Sequence, residues 1–291
     1  MREPDTEKTN ADMTEREMTG VERKNGRHDL DTIREALRYA RRYRGCTFVL
    51  KIDYPVVMDD LFPVLLQDIA LLHQSGIRIV VVPGARERID EMLEAYEIPM
   101  ALHRGERITT KEALPFVEMA AFDVASKLIS ALAGLDIHGL IGNWVRAKSR
   151  GIIDGVDFEY TGRVERVDAD TLIHILEEGY IPIVPPVGWN TSGKSYNIPA
   201  DELAAAVASA IPSEKLFYVG THGVLHAGSL RLPQSTKTVD DGRISRLTVQ
   251  EARELERSPD LPDVWRRLIA LGRRSCEAGV NRVHLLDGEV E

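Results

Sequence analysis

Lys51 stands inside the apolar run "TFVLKI", where a charged side chain needs a partner or a strand end to reach. A cation there can stabilise negative charge developing on a transferring phosphoryl group. The alternative is a stem packed along the strand with its head in water. Further on, "IRIVVVPGARERIDEML" passes from an apolar strand through Gly84 into a helix, with Ile89 and Met92 at helical spacing. Backbone N–H groups at a helix N-terminus favour an anion, and glycine lets it come close, so "PGAR" is a candidate anion cradle. Only Gly84 is glycine, however. Ala85 adds a methyl and Arg86 a long cation, which leaves an ordinary strand-to-helix turn open as a reading.

Arg107, in "HRGERITTKE", precedes a helix and carries the planar fork that can clamp a carboxylate with two parallel hydrogen bonds; taken singly it also reads as a solvated arginine. In "SYNIPADELAAAVASAI", Asn197 falls where a strand ends, Pro199 suits a helix entry, and Asp201 and Glu202 occupy the first turn. Asn197 offers a donor and an acceptor to a small polar ligand. Asp201 either answers the helix dipole or orients a phosphate-binding lysine or a metal. His222 and His226 fall in a loop, not on the helix a zinc site would use, and there is no G-x-S-x-G elbow. No metal site is expected.

These residues need a scaffold of alternating strands and helices, and the pattern supplies one. Strands are expected at "TFVLKI", at Ile77–Val82, at "YIPIVPPVGW", at "KLFYVGTHGVL" and at "NRVHLL". Helices are expected from Met58 to Ser75, from the "PGAR" turn to Tyr96, within "KEALPFVEMAAFDVASKLISALAGL", and near 170–178, 200–211, 248–255 and 262–278. Residues 145–167, with Gly151, Gly155 and Gly162, suit hairpins. The expected fold is α/β: a three-layer α/β/α sandwich with a largely parallel central sheet and ligands at the carboxyl ends of its strands. Residues 1–27 are too polar to offset their ordering entropy and read as a flexible tail. Residues 28–45 read as a helix capped by Asp31, stopped by Gly45, with Ile33, Leu37, Ala40 and Tyr43 on one face and a basic opposite face. Whether that helix packs on its own domain or reaches a partner subunit stays open.

The balance of 37 lysines and arginines against 46 aspartates and glutamates, a formal net charge of -9, argues against a nucleic-acid partner. The two cysteines, Cys46 and Cys276, have neither metal spacing nor a disulfide framework, and no apolar stretch is long enough for a membrane span. A cytoplasmic location follows as the expectation.

Taken together and in order, the residues from Asp31 to Gly288 resemble the amino-acid kinase family, in its arginine-biosynthesis branch of N-acetylglutamate kinases and the kinase-like domain of N-acetylglutamate synthases. The blocks that carry this are "EALRYARRYRGCTFVLK", "LLQDIALLHQSGIRIVVVPGAR", "GVDFEYTGRVERVD", "GYIPIVPPVG" and "YNIPADELAAAVA". "VPGAR" and "GVDFEYTGRVERVD" are closer to the synthase's kinase-like domain. The resemblance implies a kinase-like domain over 46–291, its N-lobe about 46–190 binding N-acetylglutamate and its C-lobe about 191–291 binding ATP. It makes Lys51 and Asp201 the catalytic pair, possessed here in vestigial form, and Gly84, Ala85, Arg107 and Asn197 the substrate-binding residues.

The departures weigh as much. Where true kinases have two glycines after the lysine, this chain has Asp53 and Tyr54, a carboxylate that repels phosphate and a phenol that would fill its space. The glycine turn has become Gly84-Ala85-Arg86, and the nucleotide loop reads "VGTHGVL". The second catalytic lysine has no match; Leu268 takes its place beside Arg266 and Arg267. Losing one preorganised donor alone can cost roughly 10²–10³ in rate. The sequence given ends at Glu291, soon after "RVHLLDG", so the expectation is a degenerate regulatory domain binding N-acetylglutamate or arginine, homo-oligomeric, without its own acetyltransferase domain and partnered by a separate acetyltransferase. Two alternatives stand beside it: an active N-acetylglutamate kinase, which alone would need ATP and magnesium, and a ligand-free structural oligomer.

Overall fold

The computed structural model describes residues 32–288 apart from 229, 231, 233 and 234. The tail read over residues 1–27 and the cap Asp31 lie outside the described residues. The chain divides into two compact units, Met1–Arg44 and Gly45–Glu291. In the first, residues 32–43 form helix α1. One turn apart on it, Tyr39 and Tyr43 bring their ring centroids to 4.5 Å. Ile33 and Leu37 of its apolar face are exposed.

The second unit opens with β1 (Thr47–Ile52), α2 (Tyr54–Met58), α3 (Phe62–Gln74), β2 (Arg78–Pro83) and α4 (Arg86–Ala95). A hairpin of β3 (Ala101–His103) and β4 (Glu106–Ile108) leads to the long α5 (Leu114–Ala133). Then come β5 (Gly139–Ile141), β6 (Val145–Ser149), the small hairpin β7 (Ile152–Ile153) and β8 (Val156–Asp157), β9 (Gly162–Val167) and α6 (Ala169–Glu177). Next are β10 (Ile181–Ile183), β11 (Val187–Trp189), β12 (Ser195–Asn197), α7 (Ala200–Ala210) and β13 (Ser213–Gly220). The chain closes with β14 (Lys237–Thr238), β15 (Ile244–Arg246), α8 (Val249–Leu255), α9 (Asp263–Glu277) and β16 (Arg282–Asp287).

Six strands form one sheet in the order β16-β13-β1-β2-β10-β5, every pairing parallel. All six residues of β1 are buried, because helices cover both faces and continuous apolar runs replace alternation. Val49, Val80, Val82, Leu216 and Tyr218 meet Leu172 and Leu176 of α6 and Leu203 and Val207 of α7 in one core. The alternate residues, Phe48, Leu50, Ile79 and Val81, point to the opposite face and are buried as well. The α/β/α sandwich with a parallel central sheet is thus the observed fold. A second sheet, in the order β12-β11-β6-β9, stands beside it.

Two elements differ from the sequence reading. The helix expected from Met58 to Ser75 begins later, as α3 at Phe62, and a separate short helix, α2, ends at Met58, because Pro63 cannot continue a helix through Asp59: its ring would meet the carbonyl four residues back. The gap is closed by the Leu61 N–H donating to Asp59 Oδ1 at 2.8 Å. The single strand read in "YIPIVPPVGW" is also two. Pro185 and Pro186 cannot donate to a ladder, so β10 stays in the central sheet while β11 leaves to pair with β12 and β6.

Candidate functional site

Lys51 is two residues beyond Val49 on β1 and so faces α7, whose first turn carries Asp201. The Lys51 ammonium lies 2.8 Å from Asp201 Oδ1 and also pairs with Asp53. The second oxygen of Asp201 accepts from Arg267 of α9. Four residues from three parts of the chain therefore form a row of alternating charge, Asp53, Lys51, Asp201 and Arg267. Burial alone would raise the Asp201 carboxyl, but Lys51 and Arg267 hold it far below the usual carboxylate range. Burial likewise works against the charge on Lys51, and Asp201 and Asp53 overcome it and raise its pKa. The Tyr218 hydroxyl, deep in the core, donates to the Asp201 backbone carbonyl at 3.1 Å and fixes the start of α7.

Asp53 also occupies the space beside two glycines. A Cβ built on Gly84 would meet Asp53 Oδ1 at 2.2 Å, and one on Gly220 would meet Asp53 Oδ2 at 2.4 Å. At the "PGAR" turn, the Gly84 N–H is spent on the Ile52 carbonyl at 2.7 Å, and the Glu87 carboxylate folds back onto its own backbone N–H in the first turn of α4. The cradle is filled from within by the chain's own carboxylates. Burial pushes the Glu87 carboxyl up, and Glu87 Oε2 is buried with no hydrogen-bond partner among the described residues.

A second polar cluster is uncharged. The Thr161 hydroxyl donates to the Arg107 carbonyl at 2.7 Å and accepts the Thr109 N–H at 2.9 Å. The Asn197 side-chain amide donates to the Thr109 hydroxyl at 2.9 Å. This cluster anchors β4, and with it Arg107, whose side chain is only 8% exposed. Its Nη2 is held by Asp90 of α4, while Nη1 is buried with no partner among the described residues.

The six residues singled out from the sequence, Lys51, Gly84, Ala85, Arg107, Asn197 and Asp201, all line one cavity of about 410 Å³. Gly84 and His222, just past the last residues of β2 and β13, place it at the carboxyl ends of those strands. Among the described residues that line it, five cations (Lys51, Arg86, Arg104, Arg107 and Arg267) face five carboxylates (Asp53, Glu87, Glu106, Asp201 and Asp263). The wall carries no formal net charge, a poor setting for a triphosphate and its magnesium. Both Asp53 and Asp201 are committed to Lys51, so the residues present do not fit that pair of cofactors.

Three expectations change with the geometry. The Tyr54 phenol points away to Glu91, at 3.3 Å, and is not among the lining residues, so of the pair Asp53 and Tyr54 only Asp53 enters the cavity wall. Arg107 sits on a strand, β4, that the sequence reading did not recognise. Leu268 does line the cavity in place of a lysine, yet its neighbour Arg267 brings a cation to Asp201, while Arg266 is spent on the Ser258 and Leu261 carbonyls. Asp90, Glu87, Thr109 and Thr161 were not anticipated. Their roles depend on which segments meet, and no spacing in the chain announces that.

An α/β/α sandwich whose parallel strands end at a cleft lined by paired charges is the usual setting for a small-ligand site. The chain belongs to the amino acid kinase family, whose model matches residues 49–286. Among curated proteins it is similar to the amino-acid acetyltransferase of Salmonella typhimurium, 31% identical over an alignment of 271 residues that covers 88% of this chain and 58% of that protein. Among solved structures it is similar to N-acetylglutamate synthase from Neisseria gonorrhoeae complexed with coenzyme A and N-acetyl-glutamate. That match has 32% identity and a TM-score of 0.79 over 90% of this chain and 58% of that one. The same enzyme complexed with coenzyme A and L-arginine gives a TM-score of 0.76. Carbamate kinase from Giardia lamblia, at 11% identity and a TM-score of 0.60, shares the fold. The chain thus spans about 58% of the length of the relatives first matched. Among the described residues no helix is long and apolar enough to cross a membrane.

Proposed function

We propose that this chain is a ligand-binding regulatory domain of the N-acetylglutamate synthase type, working in arginine biosynthesis, in which phosphoryl transfer has been lost. The supporting observation is the position of Lys51 between Asp53 and Asp201, with Asp53 in the space beside Gly84 and Gly220. A lysine that stabilises a transferring phosphoryl group must offer it an unbalanced charge. This one is neutralised on both sides before any ligand arrives. In this reading Arg107 and Asn197 serve a small ligand, N-acetylglutamate or arginine, and the domain governs an acetyltransferase module, either continuous with it or a separate chain, within a homo-oligomer.

Calorimetric titration of the chain separates this reading from the active kinase. Magnesium-ATP gives no binding heat, with or without saturating N-acetyl-L-glutamate, and the Asp53→Gly variant, which frees Lys51, gains binding of inorganic pyrophosphate by about tenfold or more. Stoichiometric magnesium-ATP binding by the unaltered chain, with ATP-dependent phosphorylation of N-acetyl-L-glutamate that Lys51→Ala abolishes, overturns the proposal.

A further inference from the structure

Among the described residues that line the cavity, three polar atoms have neither a hydrogen bond nor an ion pair, Arg107 Nη1, Glu87 Oε2 and the ring nitrogen His222 Nε2, and the first two belong to charged groups. Those two are also neighbours by construction. Arg107 is gripped through Nη2 by Asp90, and Asp90 follows Glu87 by three residues on α4. Residues three apart on a helix lie side by side, about 5–6 Å between Cβ atoms. The guanidinium fork bound to Asp90 is thereby brought alongside the helix face that carries Glu87, and a donor for a carboxylate stands within a small molecule's reach of an acceptor for a cation.

Of the other cations in the wall, the exposed Arg86 donates to the Gly105 carbonyl at 3.2 Å, and the rest are answered by carboxylates. Lys51 is balanced by Asp53 and Asp201, and Arg267 by Asp201. Arg104 is 2.9 Å from Asp154, on the neighbouring hairpin. His222, whose Nε2 also lacks a partner among the described residues, is held toward its neutral form by burial and by Lys51. A dianion entering here finds one uncommitted buried donor and meets the half-buried Glu87 carboxylate, one oxygen of which has no partner among the described residues. A zwitterion satisfies both.

We propose that this cavity takes a free α-amino acid, its carboxylate on Arg107 Nη1 and its ammonium on Glu87, in preference to an N-acylated or phosphorylated compound. The inference rests on the reading above, that the cavity serves a small ligand and not a nucleotide, and narrows it to a chemical class. Acylating the amine removes the cation that Glu87 accepts, so the loss on acylation measures the Glu87 contact. A charge-assisted hydrogen bond of this kind corresponds to about tenfold or more in affinity.

The test is calorimetry on the full chain with a matched pair, L-glutamate and N-acetyl-L-glutamate, which differ only in the charge and bulk of the amine. L-glutamate is expected to bind about tenfold tighter or more. Glu87→Gln is expected to shrink that preference to about threefold or less by weakening L-glutamate alone, and Arg107→Lys to weaken both ligands. Equal or tighter binding of N-acetyl-L-glutamate by the unaltered chain overturns the inference and leaves the regulatory reading standing. Binding of neither also overturns it. Displacement of L-glutamate by magnesium-ATP, in contrast, sinks the reading on which it rests. The first arm uses the unaltered chain, so it decides even if a variant fails to fold.

Discussion

Two buried polar clusters share one cavity and are satisfied in opposite ways. The row Asp53, Lys51, Asp201 and Arg267 alternates charge and closes on itself. The Thr109, Thr161 and Asn197 cluster is neutral, held by ordinary hydrogen bonds, and its product is a fixed Arg107 with one buried nitrogen left without a partner among the described residues. The first has turned binding capacity into internal cohesion; the second spends modest bonds to keep a binding group available. A charged site is therefore not an active one merely because its residues are present. What counts is whether the charges are already answered.

The contrast can be broken most forcefully at Asp201. Asp201→Ala leaves Lys51 and Arg267 without their shared counter-charge, and a loss of about 3 kcal/mol in urea unfolding is expected. A loss below about 1 kcal/mol would mean the row is solvated and not cohesive. Acid provides a gentler version of the same cut. The folded pKa of Asp201 lies below its ordinary 3.8, so its stabilisation is complete above that value and is lost as the pH falls toward the folded one. Between about pH 5 and about pH 2 the unaltered chain should lose stability more steeply than Asp201→Asn, and parallel curves would contradict the assignment. The neutral cluster should respond least. Asn197→Val removes one donor, while the Thr109 hydroxyl keeps Thr161 at 3.0 Å, and about 1 kcal/mol is expected. A loss near that of Asp201→Ala would erase the distinction between the two clusters.

The central sheet was legible because burial on both faces writes itself as unbroken apolar runs, as in β1 and β2. The hairpin β3–β4 was not, since its residues are exposed or half-buried and short strands with solvent on one side resemble loops. Breaks at Pro63 and at Pro185–Pro186 stood in the sequence as prolines, but an apolar pattern running through them masked their effect. In the site, Lys51 drew notice because it interrupts an apolar run, and Asn197 and Asp201 because they fall where a strand ends and a helix begins. Arg267 and Asp90 had no such mark: each is one charged residue on a helix among others, and only the approach of α9 to α7 and of β4 to α4 assigns it a partner.

Asp53 carries a consequence for how such chains are read in evolution. Glycines near a lost phosphate site invite interpretation as relics, free to drift once nothing binds there. Here Gly84 and Gly220 are each pressed against the Asp53 carboxylate, closer than any side chain could tolerate. The Asp53 carboxylate imposes its own constraint on both positions, so packing alone requires glycine at each, whatever the cavity binds.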